Sequence, residues 1–174
     1  YEGAEKPAEA AQAAEKALSA NEDDEAAAGV LDRQILKEHG PSAAKGPKEA
    51  LAAAKAYEKL LALAPRNPWI RNNIAFLLRD AADKNKGDAA WAPVVAECAR
   101  LYEDASRVAD DQVRGREATL PFARRHGYAG VFNDTGLMFQ YYPAIEDLEK
   151  AEGYYVRAAR WLVLALVAGV LLLA

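Results

Sequence analysis

The chain has 174 residues, a net charge of −4 and an apolar content of 52%. A chain of this length supports one domain or a short repeat array. The apolar content excludes disorder along the whole length, and the acidic balance gives no basic field to hold nucleic acid. Alanine is abundant while aromatic residues make up 9%, which favours packed helices over a β-sandwich or barrel.

Helical patterns and their stop signals divide the first half of the chain. Residues 4–20 predict a first helix. Asn21, followed by four acidic residues, predicts an N-cap and first turn for a second helix that ends near residue 38. The alternative for these acidic residues is a metal-binding cluster. Gly40 and Pro41 predict a loop, and a third helix is expected from Pro47 to Pro65.

The second half continues the same pattern. Asn67 and Pro68 predict the start of a helix that ends near Asp83, and Pro93 opens another through residue 108. A short helix is expected over 117–125 and a longer one over 131–142. The last helix is expected from Ile145 to the end. No useful stretch alternates as a strand would.

Two local signatures recur along the chain. Asn72-Asn73-Ile74-Ala75 and Asn133-Asp134-Thr135-Gly136 share two polar residues, one further residue and a small residue. A second signature pairs a small residue with a tyrosine four positions later, at Ala53/Tyr57, Cys98/Tyr102 and Ala151/Tyr155, and fades at Ala10/Ala14. Small residues at these spacings allow two helices to approach closely.

These signatures resemble the tetratricopeptide repeat (TPR) family over most of residues 7–160, as about three and a half irregular repeats. The first signature matches helix A of that repeat and the second matches helix B. The resemblance implies an all-α fold of antiparallel helix hairpins stacked as an α-solenoid. The family repeat is 34 residues long, whereas the signature tyrosines lie 45 and 53 residues apart. Insertions at 83–91 and 110–130 account for the extra length. The alternative is a bundle of alanine-rich helices without repeat stacking.

The resemblance also implies a binding groove lined by the A helices. In the family this groove holds peptides of partner proteins. The matching positions of the two A helices are Trp69, Asn72, Phe76, Arg79 and Asp80 in one, and Asn133, Leu137, Gln140 and Tyr141 in the other. Asparagine side chains suit such a groove because each can donate to and accept from a peptide backbone. Arg79 would add a charge-assisted contact to a carboxylate. The alternative is that Asn72, Phe76 and Trp69 serve only packing or helix ends.

The sequence offers no catalytic constellation. It contains no phosphate loop, nucleophile elbow, zinc-protease motif or Rossmann glycine triplet. Cys98 occupies a small-residue position that faces a partner helix, so we expect a structural thiol. His39 and His126 are too scattered for a zinc site, and His126 with Arg124 and Arg125 is either an anion patch or a solvated loop. We therefore expect no enzyme activity, no cofactor and no metal.

The C-terminal segment 161–174 contains no polar side chain. Arg157 and Arg160 precede it and Trp161 lies at its border, the order of cations and aromatic residue that flanks a membrane span. It is shorter than the roughly 20 residues that a span needs. It is thus expected to be a long apolar helix that is either a truncated membrane segment or a buried cap on the repeat domain 1–160.

The sequence therefore predicts a scaffold that binds a protein or peptide partner. It would lie in the cytoplasm, with a membrane anchor if 161–174 spans a bilayer. One alternative is a structural segment whose open ends stack on other repeats, with self-association as a consequence. Another is an accessory domain of a larger membrane protein or enzyme.

Overall fold

The structure is a computed structural model that describes residues 7–85, 87–114 and 122–173, without side chains for 7, 41–42, 113, 122–126 and 164–173. All regular structure in these ranges is helical, which confirms the all-α prediction. The helices are α1 (Pro7–Ala20), α2 (Glu25–Ala43), α3 (Pro47–Ala56), α4 (Glu58–Leu63), α5 (Pro68–Asp83), α6 (Ala92–Val113), α7 (Phe122–Tyr141) and α8 (Leu148–Leu173), with a 3₁₀ turn at Ala89–Trp91.

The start of α5 is built as predicted. Asn67 Oδ1 accepts hydrogen bonds from the backbone N–H groups of Trp69 at 2.9 Å and Ile70 at 3.4 Å, and Pro68 takes the first helical position. Asn67 Nδ2 also donates to the backbone carbonyl of Glu22 at 2.8 Å. This cap is 1% exposed. It therefore fixes the start of α5 against the turn that precedes α2.

The acidic residues before α2 act as caps and ion-pair partners. Asp24 Oδ1 accepts a hydrogen bond from the N–H of Ala27 at 2.9 Å, so Asp24 is the side chain that caps α2. Asn21, the predicted cap, instead accepts from the N–H of Asp23 within the turn. Glu22 pairs with Arg66. The prediction of a cap was right in kind, but the capping residue lies three positions later.

Several helix boundaries differ from the prediction. α2 continues through Gly40 and Pro41 to Ala43, since a proline this close to a helix end removes a single backbone hydrogen bond. The helix predicted from Pro47 to Pro65 is divided at Tyr57, where the backbone hydrogen bonds tighten to a 3₁₀ pattern. The helix predicted over 117–125 lies mostly outside the described residues, and α7 begins at Phe122 rather than at 131.

Neighbours in sequence are neighbours in space. α1 packs on α2, α2 on α3, α5 on α6, α6 on α7, and α7 on α8. In addition, α5 contacts both α2 and α7, so these three helices form a row. One core cluster runs from α1 to α8, and a smaller one around Tyr128, Phe132 and Trp161 joins α7 to α8.

The small residues of both signatures lie where helices meet. The Cys98 thiol donates to the carbonyl of Ala75 at 3.1 Å, which joins α6 to α5. A Cβ atom added at Gly136 would lie 2.8 Å from the Tyr155 ring, closer than side-chain atoms pack, so α7 and α8 also approach closely there. The small side chains at Ala75 and Gly136 are therefore required by the packing of each helix on the next.

The expected long apolar C-terminal helix is not found among the described residues. α8 begins at Leu148 and passes residue 160 without a break. Its described part is amphipathic, with Glu152 and Arg157 exposed and Ala158 and Trp161 buried. No helix in the described ranges combines the length and apolar character that crossing a membrane requires. The side chains of 164–174, on which the membrane prediction mainly depended, lie outside the described residues.

We expect Asn67→Ala to lower the free energy of unfolding by about 2 kcal/mol, because it removes a buried cap and leaves the Glu22 carbonyl without its donor. Urea unfolding followed by circular dichroism measures the change. The control is Asp88→Ala, since Asp88 is an exposed cap that accepts from the N–H of Ala90 at 2.9 Å. It should cost less than about 1 kcal/mol. Equal losses in the two variants would show that the link to Glu22 contributes nothing.

Candidate binding face on α5 and α7

Asp134 on α7 joins two of the predicted groove residues on α5. Asn72 Nδ2 donates to Asp134 Oδ2 at 3.3 Å, and Arg79 Nη1 lies 3.5 Å from Asp134 Oδ1. Asn72 and Arg79 are two helical turns apart on one face of α5, so the carboxylate reaches between them. The sequence predicted the two α5 residues, but it did not predict that a single carboxylate ties them to α7.

Arg79 is held by aromatic rings as well as by Asp134. The centre of its guanidinium lies 5.0 Å from the centroid of Phe76 and 5.7 Å from that of Tyr102, within cation–π range. The Arg79 side chain is 18% exposed and that of Asp134 is 23% exposed. The ion pair is thus largely shielded from water, which strengthens it. Phe76 itself is 52% exposed.

Two polar atoms of this cluster have unused hydrogen-bonding capacity. Asn72 Oδ1 and Arg79 Nη1 are buried, and neither forms a hydrogen bond with a described residue. A buried polar atom without a partner costs about 1–3 kcal/mol. Arg79 Nη1 is still ion-paired with Asp134, so Asn72 Oδ1 is the buried acceptor that the described residues do not satisfy.

The predicted residues of α7 divide into exposed and packed side chains. Asn133 is exposed and Tyr141 is 56% exposed. Leu137 is half-buried, and Gln140 accepts a hydrogen bond from the Tyr155 hydroxyl of α8. Asn133 and Tyr141 are therefore the α7 side chains most accessible to a ligand.

Trp69 has a packing role. Its ring stacks on Tyr128 with centroids 5.7 Å apart and planes 21° apart. A Cβ atom added at Gly127 would lie 2.2 Å from this ring, so the glycine makes room for the indole. Asp80, at the other end of α5, is exposed and pairs with Lys84 at 3.0 Å. Of the groove residues predicted on α5, Phe76 is the one that both contacts Arg79 and faces solvent.

The sequence also missed how the second polar residue of the signature is used. Asn73 Nδ2 donates to Asp32 Oδ2 of α2 at 3.5 Å, just as Asn72 donates to Asp134 of α7. The Asn72–Asn73 pair thus joins α5 to both of its neighbours in the row, α7 and α2. The recurrence of that pair was the available signal, but its partner residues lie far away in sequence.

Cys98 is a buried thiol. It is fully shielded, donates to the carbonyl of Ala75, and lies 3.6 Å from the sulfur of Met138. Burial raises the pKa of this thiol well above its ordinary value, which keeps it in the unreactive protonated form. Among the described residues, no three His, Cys, Asp or Glu side chains lie together as a metal site.

A polar cavity of about 790 Å³ lies away from this face, at the ends of α1, α4 and α6. Arg66, Arg107 and Arg114 line it, but each is already paired with a carboxylate, of Glu22, Asp104 and Asp111 respectively. Its charges are mixed, so it selects no obvious ligand. The face of α5 and α7 carries the more specific arrangement.

Comparison with protein-family models, curated proteins and solved structures finds no match to this chain. What the face of α5 and α7 can bind is therefore inferred from its own residues.

We expect Asp134→Ala to lower the free energy of unfolding by about 2 kcal/mol, because it leaves Asn72 and Arg79 without their shared partner. Chemical unfolding provides the measurement. Asp80→Ala removes the exposed pair with Lys84 at the end of α5, and it should cost no more than about 0.5 kcal/mol. If the two variants are equally stable, Asp134 does not hold α5 against α7.

We expect Cys98 to react with Ellman's reagent only after unfolding, because the protonated thiol is enclosed between α5, α6 and α7. The absorbance of the released thionitrobenzoate, followed at pH 8 with and without urea, tests this. The control is the same protein in urea, where the thiol should react fully. Fast reaction in native buffer would contradict a buried structural role for Cys98.

Proposed function

We propose that this chain is a non-enzymatic protein-interaction module whose hairpins stack as a TPR-like α-solenoid. It binds a peptide or helix of a partner protein across α5 and α7. The proposal rests on the exposure of Phe76 and on its contact with Arg79. This large apolar side chain is half exposed to solvent, yet it lies against Arg79, which is held by the carboxylate of Asp134 on α7.

Exposed apolar and polar groups on this face suit an extended ligand. Phe76 and Tyr141 offer apolar contact on neighbouring helices, and exposed aromatic residues carry much of the binding energy in interfaces. Asn133 offers an exposed amide that both donates and accepts. Arg79 is already paired with Asp134, so in this proposal it positions the Phe76 ring that lies against it. Leu137 and Gln140 support the face from α7.

Asn72 acts first as a positioning residue in this proposal. By donating to Asp134, it fixes the carboxylate that in turn holds Arg79. Its unpaired Oδ1 can accept a ligand N–H after a change of side-chain rotamer, which would also relieve the cost of burying that atom. A membrane anchor is no part of this proposal.

Selection of random linear peptides displayed on phage tests the proposal. We expect the peptides enriched on the wild-type protein to bind Phe76→Ser and Tyr141→Ser at least about tenfold more weakly, a loss of about 1.4 kcal/mol. Biolayer interferometry with synthetic peptides measures these affinities.

The matched control is Leu36→Ser on α2. Leu36 is 42% exposed, so the change is of the same kind but lies outside the face of α5 and α7, and it should leave peptide binding unchanged. Circular dichroism checks that all variants remain helical. If no peptide is enriched, or if all three variants bind the peptides equally, the assignment of the face to α5 and α7 is wrong.

A further inference from the structure

Ion pairs connect successive hairpins at a regular spacing. Glu15 and Glu22 pair with Lys59 and Arg66, joining α1 to α4 and to the turn that follows it. In the same way, Glu103 and Asp110 of α6 pair with Lys150 and Arg157 of α8, at 2.5 and 3.1 Å. In each set the two acids are seven residues apart, as are the two bases. Glu22 and Arg66 lie in turns, but in the second set all four residues lie within helices, where residues seven apart share one face.

We call these two sets of ion pairs the ladder. The acidic residues of the ladder mark the face of a helix on which the next hairpin docks. On α6 that face also includes Ser106, which is 1% exposed and hydrogen-bonded to Thr135 of α7 at 2.8 Å. It further includes Val95, which is 7% exposed. Ser106 and Val95 on this face of α6 are therefore covered, while the ion-paired side chains of Glu103 and Asp110 remain 37% and 40% exposed.

On α8, several apolar side chains at the corresponding positions are exposed among the described residues. The signature tyrosines Tyr102 and Tyr155 lie 53 residues apart, and this offset matches Glu103 with Val156 and Asp110 with Val163. Val156 and Val163 are 62% and 57% exposed. The same offset matches Val95 with Leu148 (62% exposed) and Ser106 with the exposed Ala159. Apolar side chains that the described residues leave exposed, at positions equivalent to a docking face, indicate an interface.

We propose that a second copy of this chain covers this face, with the two α8 helices packed antiparallel and crossing near Val156. Val156, Ala159 and Val163 are spaced three and four residues apart, the spacing of a helix–helix seam. Gly153 borders the seam. A Cβ atom added there would have no neighbour within 4 Å among the described residues, so the backbone is open to close approach.

Charge decides the direction of the pair. Glu152 and Arg160 lie one turn before and one turn after Val156, and both are exposed. A parallel pair would place Glu152 beside Glu152 and Arg160 beside Arg160. An antiparallel pair that crosses at Val156 instead places each Glu152 beside the Arg160 of the other copy, which is attractive. Two-fold pairs of this kind are also the commonest symmetric assembly.

Sedimentation velocity of the full chain over a range of concentrations tests the proposal. We expect a reversible monomer–dimer equilibrium, since a single helix pair buries less than a standard stable interface. Val156→Arg should raise the dimer dissociation constant at least about tenfold. Leu36→Arg is the matched control, because Leu36 is an apolar side chain on α2 with 42% exposure, and it should leave the dimer unchanged.

A charge exchange tests the direction. Glu152→Arg and Arg160→Glu should each weaken the dimer several-fold, and the double variant should restore it. A wild-type chain that stays monomeric at all concentrations would overturn the proposal, as would a Val156→Arg variant that dimerises normally. Single charge variants without effect, or a double variant that is not restored, would overturn the antiparallel arrangement.

Discussion

The contact that the candidate binding face depends on is the one from Asp134 to Asn72 and Arg79. It holds α7 beside α5 and fixes a guanidinium that is mostly shielded from water. An arginine in this position needs a carboxylate, because an unpaired buried charge is costly. Once Arg79 is held, one side of the Phe76 ring lies on it and the rest of the ring remains in solvent. The exposure of Phe76 is therefore set by an ion pair between helices rather than by α5 alone.

Close packing of the hairpins gives this ion pair its geometry. Ala75 and Cys98 let α6 approach α5, and Gly136 lets the Tyr155 ring of α8 approach α7. A larger side chain at any of these positions would separate the helices or force a neighbour to move. The small residues and the polar pair of the signature thus act together. The former set how closely the helices pack, and the latter joins α5 to α2 and α7.

Local sequence signals predicted the helices well, but they did not predict contacts between residues far apart in the sequence. The start of α5 followed from Asn67 and Pro68, because a cap and a helix-starting proline act on adjacent residues. The role of Asp134 depends on a partner 62 residues away, which no local pattern specifies. The family resemblance places Trp69 in the groove. Its stacking on Tyr128 and its close approach to Gly127, both on α7, are packing contacts that no local pattern specifies.

The two proposed interfaces use different chemistry on different helices. The face of α5 and α7 combines aromatic side chains with a fixed ion pair, whereas the face of α8 has valines where α6 has the acidic residues of the ladder. These valines carry no charge that could pair with the bases of another hairpin. They leave a surface that gains by excluding water. Because Phe76 lies on α5 and Val156 on α8, separate substitutions can weaken ligand binding and self-association. Self-association would also present two peptide-binding faces in one particle, which raises apparent affinity for a partner with two copies of the bound peptide.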